Sequence, residues 1–404
     1  MTGVRLTKRG LLVIIVLYFT FFIWYCVFPV CVLRHVAGSS AETYLMVNAS
    51  FNFTIAITLL LTSFFIHRCN KIRIIYESSI ATSIVTFPLL FVSSIILNLI
   101  IIFVAGIFFS IGLLAFFTYF WSLTVSEERG RAAGLVGSFS LPIFYIVSLM
   151  AETFDFYGIV MLGVIFSLGP LVIKLLRPEK KAMLTTKKDE KEYNPEKRII
   201  LLYAVPWALF SLINATLAKN ISLYVLQSIP FSYYIFLSVF QLVAAVFGAL
   251  GGGIIADFVG RRLSLVFSLT LYGISSALVG LVKNYEMLCF VYVANGLNWG
   301  ILSALYLLVV WGDLTSKESC AKRYSIGLII FYLATGLGNL STHQISQIPL
   351  ITSSLVSCLL IFLSNIPLIS APELLSSDFR ERIKLKLYMN VVRKIRRKLL
   401  QNQG

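Results

Sequence analysis

Gly253-Ile-Ile-Ala-Asp257-Phe-Val-Gly260-Arg261-Arg262 lies between two apolar runs, 231–255 and 263–283, each long enough to cross a bilayer as a helix. Gly253 permits close contact with a neighbouring helix, and Gly260 permits a tight turn. Asp257 can cap a neighbouring helix N-terminus, and the two arginines can pair with acids or with lipid phosphates. A charged turn this short makes the chain re-enter the membrane at once. The same alternation of apolar run and short polar break extends over the whole sequence.

Composition agrees. Of 404 residues, 58% are hydrophobic, 13% are charged and 32 are Phe, with mean hydropathy +0.88. Soluble chains hold roughly 45–50% apolar and about 25% charged residues. Too little polar surface remains to cover a globule in water, which excludes a soluble protein. Apolar runs fall at 11–33, 41–66, 74–93, 97–124, 132–152 and 156–176, then at 199–227, 231–255, 263–283, 286–311, 324–342 and 349–369. The least distinct division is inside 74–124, where only Ser93, Ser94 and Asn98 mark a turn. The run Leu11–Leu33 exceeds a signal-peptide core of about 7–15 residues and is read as the first span. The six Cys show no metal-ligand spacing, and most lie in apolar runs. No metal or cofactor is expected.

The net charge of +16 does not indicate a nucleic-acid partner, because the cations cluster between the apolar runs. With the N-terminus inside, 31 of 34 Lys and Arg fall on the inner side, only Arg34 and Lys283 on the outer side, and Lys219 within a span. That asymmetry predicts both termini in the cytoplasm of a plasma-membrane protein. Residues 177–198 read as a solvated linker with Pro178 and Pro195. Residues 370–404 read as a basic amphipathic tail: Phe379, Ile383, Leu387, Val391 and Ile395 recur every fourth residue among Lys and Arg. Such a tail suits anionic lipids at the cytoplasmic face.

An internal repeat divides the chain. Moved back by 190 residues, Gly253, Asp257, Gly260 and Arg261 fall on Ser63, His67, Asn70 and Lys71. A second pair, at a shift of 193, sets Arg129-Gly-Arg-Ala-Ala-Gly134 beside Lys322-Arg-Tyr-Ser-Ile-Gly327. The 253–262 string resembles the G-x-x-x-D-x-x-G-R-R signature of the major facilitator superfamily. That resemblance implies an all-α integral membrane fold, about twelve transmembrane helices in two pseudo-symmetric six-helix bundles, residues 1–176 and 199–369. It also implies a gating motif of Gly253, Asp257, Gly260, Arg261 and Arg262, completed by Asp313. The first copy departs from the pattern, with His67 in the Asp position.

In the resembled family the substrate cavity is lined by helices 1, 4, 7 and 10. Here helix 7 carries Trp207, Asn214, Lys219 and Asn220, helix 10 carries Asn295, Asn298 and Trp299, and helix 1 carries Tyr25. Polar groups facing lipid are costly, so the Asn residues should face protein or water; hydrogen bonding between helices would satisfy them equally well. Lys219 favours an anionic substrate if it faces the cavity, and otherwise snorkels to the outer interface. The expected function is secondary or facilitative transport of a small organic solute by alternating access, possible coupling ions being a proton or sodium. A multidrug exporter and a transport-inactive receptor or scaffold remain open. No cluster of catalytic side chains or phosphate-cradling loop indicates an enzyme.

Overall fold

A computed structural model describes residues 6–37, 41–92, 94–171, 196–228, 230–281, 285–315 and 319–375, with side chains at 26–28, 30–31, 34, 36–37, 41, 143–153, 217–228, 231–232, 343 and 346 outside the described set. The described residues are helical almost throughout and contain no strand. The reason is the solvent: hydrocarbon offers no hydrogen bonds, so each spanning segment must satisfy its own backbone.

The first six helices are α1 (Lys8–Ala37), α2 (Ala41–Ser63), α3 (Lys71–Thr86), α4 (Ile95–Leu123), α5 (Ser126–Thr153) and α6 (Phe156–Leu168). Six more follow: α7 (Lys197–Ser228), α8 (Phe231–Phe258), α9 (Arg261–Val279), α10 (Tyr285–Leu302), α11 (Cys320–Ser346) and α12 (Leu350–Ser370). Helix α10 continues through a π-helical stretch, Ser303–Val310, to a last turn, Trp311–Asp313. The protein is a multi-span membrane protein, and among the described residues nine of these helices contain windows apolar and long enough to cross a bilayer unaided.

Helix α3, only 16 residues long, is not among them, and it is also rich in hydroxyls. Its Ser78, Ser79, Thr82, Ser83 and Thr86 are buried against protein and not lipid. Thr82 and Thr86 donate to carbonyls one turn back, and the Ser83 hydroxyl meets that of Ser167 on α6 at 2.6 Å. The lipid-side surface of the bundle is apolar instead, as at Ile57, Phe247, Phe267 and Ile366, each exposed.

Contacts follow a two-fold pattern. In the first half α3 packs on α4 and α6, α1 on α5 and α6, and α2 on α4. Adding six to each helix number reproduces the second half: α9 packs on α10 and α12, α7 on α11 and α12, and α8 on α10. Between halves, α5 packs on α8 and α2 on α11, and the same operation exchanges these two pairs.

Boundaries differ most from the sequence expectation around the α3–α4 break and at the start of α5. The span expected at 74–93 ends as a helix at Thr86, where Phe87-Pro88 opens a short 3₁₀ turn. The break before α4 falls at 91–94, and Asn98 is buried within α4 and does not mark the turn. Helix α5 starts six residues before the expected 132, with Glu127 and Glu128 in its first turn, where the helix dipole favours acids. The linker, except 196–198, and the tail beyond 375 lie outside the described residues.

Candidate functional site: an inter-half charge network and a central cavity

Asp257 is the next-to-last residue of α8, and Arg261 is the first residue of α9. Gly260 joins them at φ +132°, a left-handed-side conformation that a Cβ would strain, and this reversal brings Arg261 Nη1 to 2.5 Å from Asp257 Oδ1. Arg261 Nε also donates to Asp313 Oδ2 at 3.0 Å, so one guanidinium bridges two carboxylates within the second half.

The other partners come from α5, in the first half. Arg129 Nη1 donates to Asp313 Oδ1, and Ser126 Oγ donates to the same oxygen at 3.0 Å. Asp257 accepts the backbone N–H groups of Gly130 and Arg131 at 2.9 and 2.8 Å, and Arg131 Nε at 3.0 Å. Arg261 Nη2 donates to the Ser126 carbonyl at 2.6 Å. The side chains of Asp257, Asp313, Arg129 and Arg261 are each at most 3% exposed, whereas Arg131 is 46% exposed. Two buried acids and two buried guanidinium groups balance. Removing any one would strand its partners in a low-dielectric site.

Parting the halves would break the Arg129–Asp313 pair and every bond from α5 to Asp257, but would leave Asp257–Arg261–Asp313 intact. The network ties the halves together at this latched end, and its bonds divide cleanly between those within the second half and those across to the first. Close approach of α5 and α8 makes it possible. A Cβ on Gly134 would come to 2.5 Å from the Ala249 carbonyl oxygen, and one on Gly253 would strike the Gly130 carbonyl.

Three further contacts place this end of the bundle. Glu373, just past α12, accepts the backbone N–H groups of Arg261 and Arg262 at 2.7 and 3.1 Å, capping α9. The Arg262 guanidinium donates to the Ala371 carbonyl at 2.9 Å and not to an acid. Leu6 N–H donates to Glu128 Oε1 at 3.0 Å, and Tyr203 Oη to the Pro372 carbonyl at 2.8 Å. The chain before α1, the start of α7 and the segment after α12 thus share the latched end.

Roughly 18 Å along α8 from Asp257, twelve residues at about 1.5 Å each, Ala245 borders a cavity of about 430 Å³ between the halves. Helices α1, α4 and α5 line one side and α8, α10 and α11 the other. Nine of its eighteen lining residues are aromatic, and Ser238 and Gln241 on α8 add a hydroxyl and an amide. No Lys, Arg, His, Asp or Glu lines it among the described residues.

Of the cavity candidates read from the sequence, Tyr25 and Trp299 line it. Tyr25 Oη donates to Asn52 Oδ1 at 2.6 Å, and its ring meets Tyr332 edge-on at 5.0 Å. Trp299 Nε1 donates to Asn214 Oδ1 at 2.9 Å, so Asn214 holds the indole from behind. Trp207, Asn295 and Asn298 are not lining residues. Trp207 is fully buried, stacked on Tyr306 at 4.7 Å and bonded to the Gly327 carbonyl at 2.8 Å. Asn298 faces Ser268 on α9, and the Asn295 side-chain oxygen is buried without a hydrogen-bond donor. The side chains of Lys219 and Asn220 lie outside the described residues. Sequence reasoning missed the roles of Arg129, Arg131, Glu373, Ser238 and Gln241. Arg129-Gly-Arg was visible only as a repeat element, and Glu373 follows Ala371-Pro372 without any motif.

This geometry is that of the major facilitator fold. The structure superposes on the human organic anion transporter MFSD10 (TETRAN) with TM-score 0.74 at 10% identity, covering 89% of this chain and 99% of that one. It superposes on the proton:xylose symporter XylE bound to 6-bromo-6-deoxy-D-glucose with TM-score 0.71 at 11% identity, covering 92% of this chain and 97% of that one. Residues 185–310 match the family described as "Sugar (and other) transporter". A stretch of 124 residues, 30% of the chain, is 33% identical to the lincomycin resistance protein of Streptomyces lincolnensis and spans only 23% of that protein's length. The chain therefore has the fold of these transporters, and its residues 185–310 match a transporter family.

Proposed function

We propose that the protein transports a small organic solute by alternating access, the two halves rocking about the central cavity. One observation carries this reading: four buried charges latch the halves at one end, and a cavity lies between the same halves deeper in the membrane. A fixed scaffold has no need of a charge pair split between moving parts. The latched end is assigned to the cytoplasm of a plasma-membrane protein from the cation asymmetry. Single cysteines placed at 180–195 and at 386–400 should then label only from the cytoplasmic side. Labelling of either from outside intact cells overturns the orientation.

The cavity chemistry refines the substrate. Ring faces carry negative potential and no lining cation offsets them, so an anion has no partner among the described lining residues. An uncharged, ring-bearing solute suits the aromatic walls, with Gln241 supplying one amide contact. The same lining is compatible with the exporter reading, in which such amphiphiles leave the cell. A melting-temperature screen of the purified protein against a metabolite and drug panel would identify ligands. For a hit, Trp299→Ala should weaken binding by about 2- to 13-fold, the worth of one aromatic contact of about 0.5–1.5 kcal/mol. Hits confined to anions, unaffected by Trp299→Ala, would overturn this assignment.

A further inference from the structure

The two-fold pattern gives the latch a counterpart at the α2–α11 contact, and there the charges do not balance. The 190-residue shift carries Asp257 to His67, Arg261 to Lys71 and Asp313 to Leu123, and the 193-residue shift carries Arg129 to Lys322. Both acids are lost, and basic residues stand at the positions of Asp257 and of both latch arginines. The turn Ile66–Arg68 packs against α11, so these groups share one end of the molecule.

Among the described residues none of Arg68, Lys71, Lys322 and Arg323 has a carboxylate partner, whereas Arg73 pairs with Glu77 at 2.6 Å. Arg323 is half-buried, and its Nε is shielded from solvent without an acceptor. A shielded guanidinium N–H without an acceptor is costly unless an anion supplies one. The Lys322 ammonium lies over the Phe64 ring at 5.6 Å. Beside these cations Phe64 and Phe65 are 50% and 67% exposed, and Leu60 and Leu61 continue an exposed apolar strip along α2. A free phosphate would leave that strip uncovered. A phospholipid covers it with its chains while its phosphate reaches the cations.

We propose that an anionic phospholipid headgroup binds between the Ile66–Arg68 turn and the start of α11, supplying the negative charge that Asp257 and Asp313 supply in the other half. One latch is built from the chain's own carboxylates, the other is completed by the membrane. This goes beyond the transport reading, and its test needs no substrate.

The test is the melting temperature of the purified full-length protein in phosphatidylcholine micelles titrated with phosphatidylglycerol. Wild type should be stabilised by phosphatidylglycerol, and Arg323→Gln with Lys322→Gln should weaken the apparent affinity at least about ten-fold, the loss of a charge-assisted hydrogen bond. The basic tail also attracts anionic lipid, but it is unchanged in that variant, so the difference isolates this site. His67→Asp, which restores a carboxylate, keeps the test decisive if the double variant fails to fold: its dependence on phosphatidylglycerol should shrink. Equal stabilisation of wild type and both variants, or none in wild type, overturns the site. Stabilisation by inorganic phosphate as strong as by phosphatidylglycerol overturns the lipid in favour of a soluble anion.

Discussion

Asp313→Asn is expected to open the latched end. The wild-type carboxylate, itself out of solvent, accepts from Arg129, from Arg261 Nε at 3.0 Å and from Ser126 Oγ at 3.0 Å. An amide keeps the shape but removes the charge and turns an NH₂ toward a guanidinium. Breaking a buried pair on one side costs about 3–5 kcal/mol. Divided between the folded and latched equilibria, that cost should lower the melting temperature and raise the open fraction by up to about 100-fold. A cysteine introduced at Ser238, on the cavity wall, reports the opening. An impermeant thiol reagent applied from the latched side should modify it much faster in the Asp313→Asn background. Arg131→Ala supplies the contrast: its guanidinium is 46% exposed, so its removal should cost no more than about 1 kcal/mol. Equal modification rates in wild type and Asp313→Asn, with equal melting temperatures, would remove the latch.

The second large effect comes from a residue without charge. Gly253→Val places a branched side chain where even a Cβ would strike the Gly130 carbonyl and approach Gly134 Cα to 3.0 Å. Neither neighbour can retreat, because both are backbone of α5. The helices must separate, and Asp257, one turn further on, depends on that proximity for its bonds to the Gly130 and Arg131 N–H groups. Overpacking of this kind costs about 1–3 kcal/mol or more, and here the lost latch contacts add to it. Gly251 is the control. A Cβ there meets nothing within 4 Å, so Gly251→Ala should be tolerated and gain up to about 1 kcal/mol of helix propensity. The same effect at both positions, in thermal melting and in Ser238→Cys modification, would show that helix propensity and not interhelical contact governs this face.

The membrane fold was legible in the sequence because hydrocarbon imposes a length and a composition on each spanning helix. The apolar runs correspond to twelve helices, and one ten-residue turn carried the resemblance to a superfamily. Helix α3 shows where this reading weakens: its hydroxyls are inward-facing, and hydropathy cannot tell a polar face buried in protein from one facing water.

Site chemistry was only partly legible. Asp257, Arg261 and Asp313 stand in a recognisable motif, but their partners Arg129, Arg131 and Glu373 lie more than a hundred residues from Asp257. Only the packing of α5 on α8 and the return of the chain after α12 bring them to one place. Trp207 and Trp299 looked alike as aromatic residues on cavity-lining helices, yet one is buried against Tyr306 and Gly327 and the other borders the cavity. Which face of a helix meets the cavity depends on its rotation against its neighbours, and an all-round apolar helix in lipid leaves that rotation unwritten in its periodicity. Sequence alone therefore determined the solvent, the span count and one motif. Tertiary packing decided which charges pair and which rings enclose the cavity, because both are contacts between helices distant in the chain.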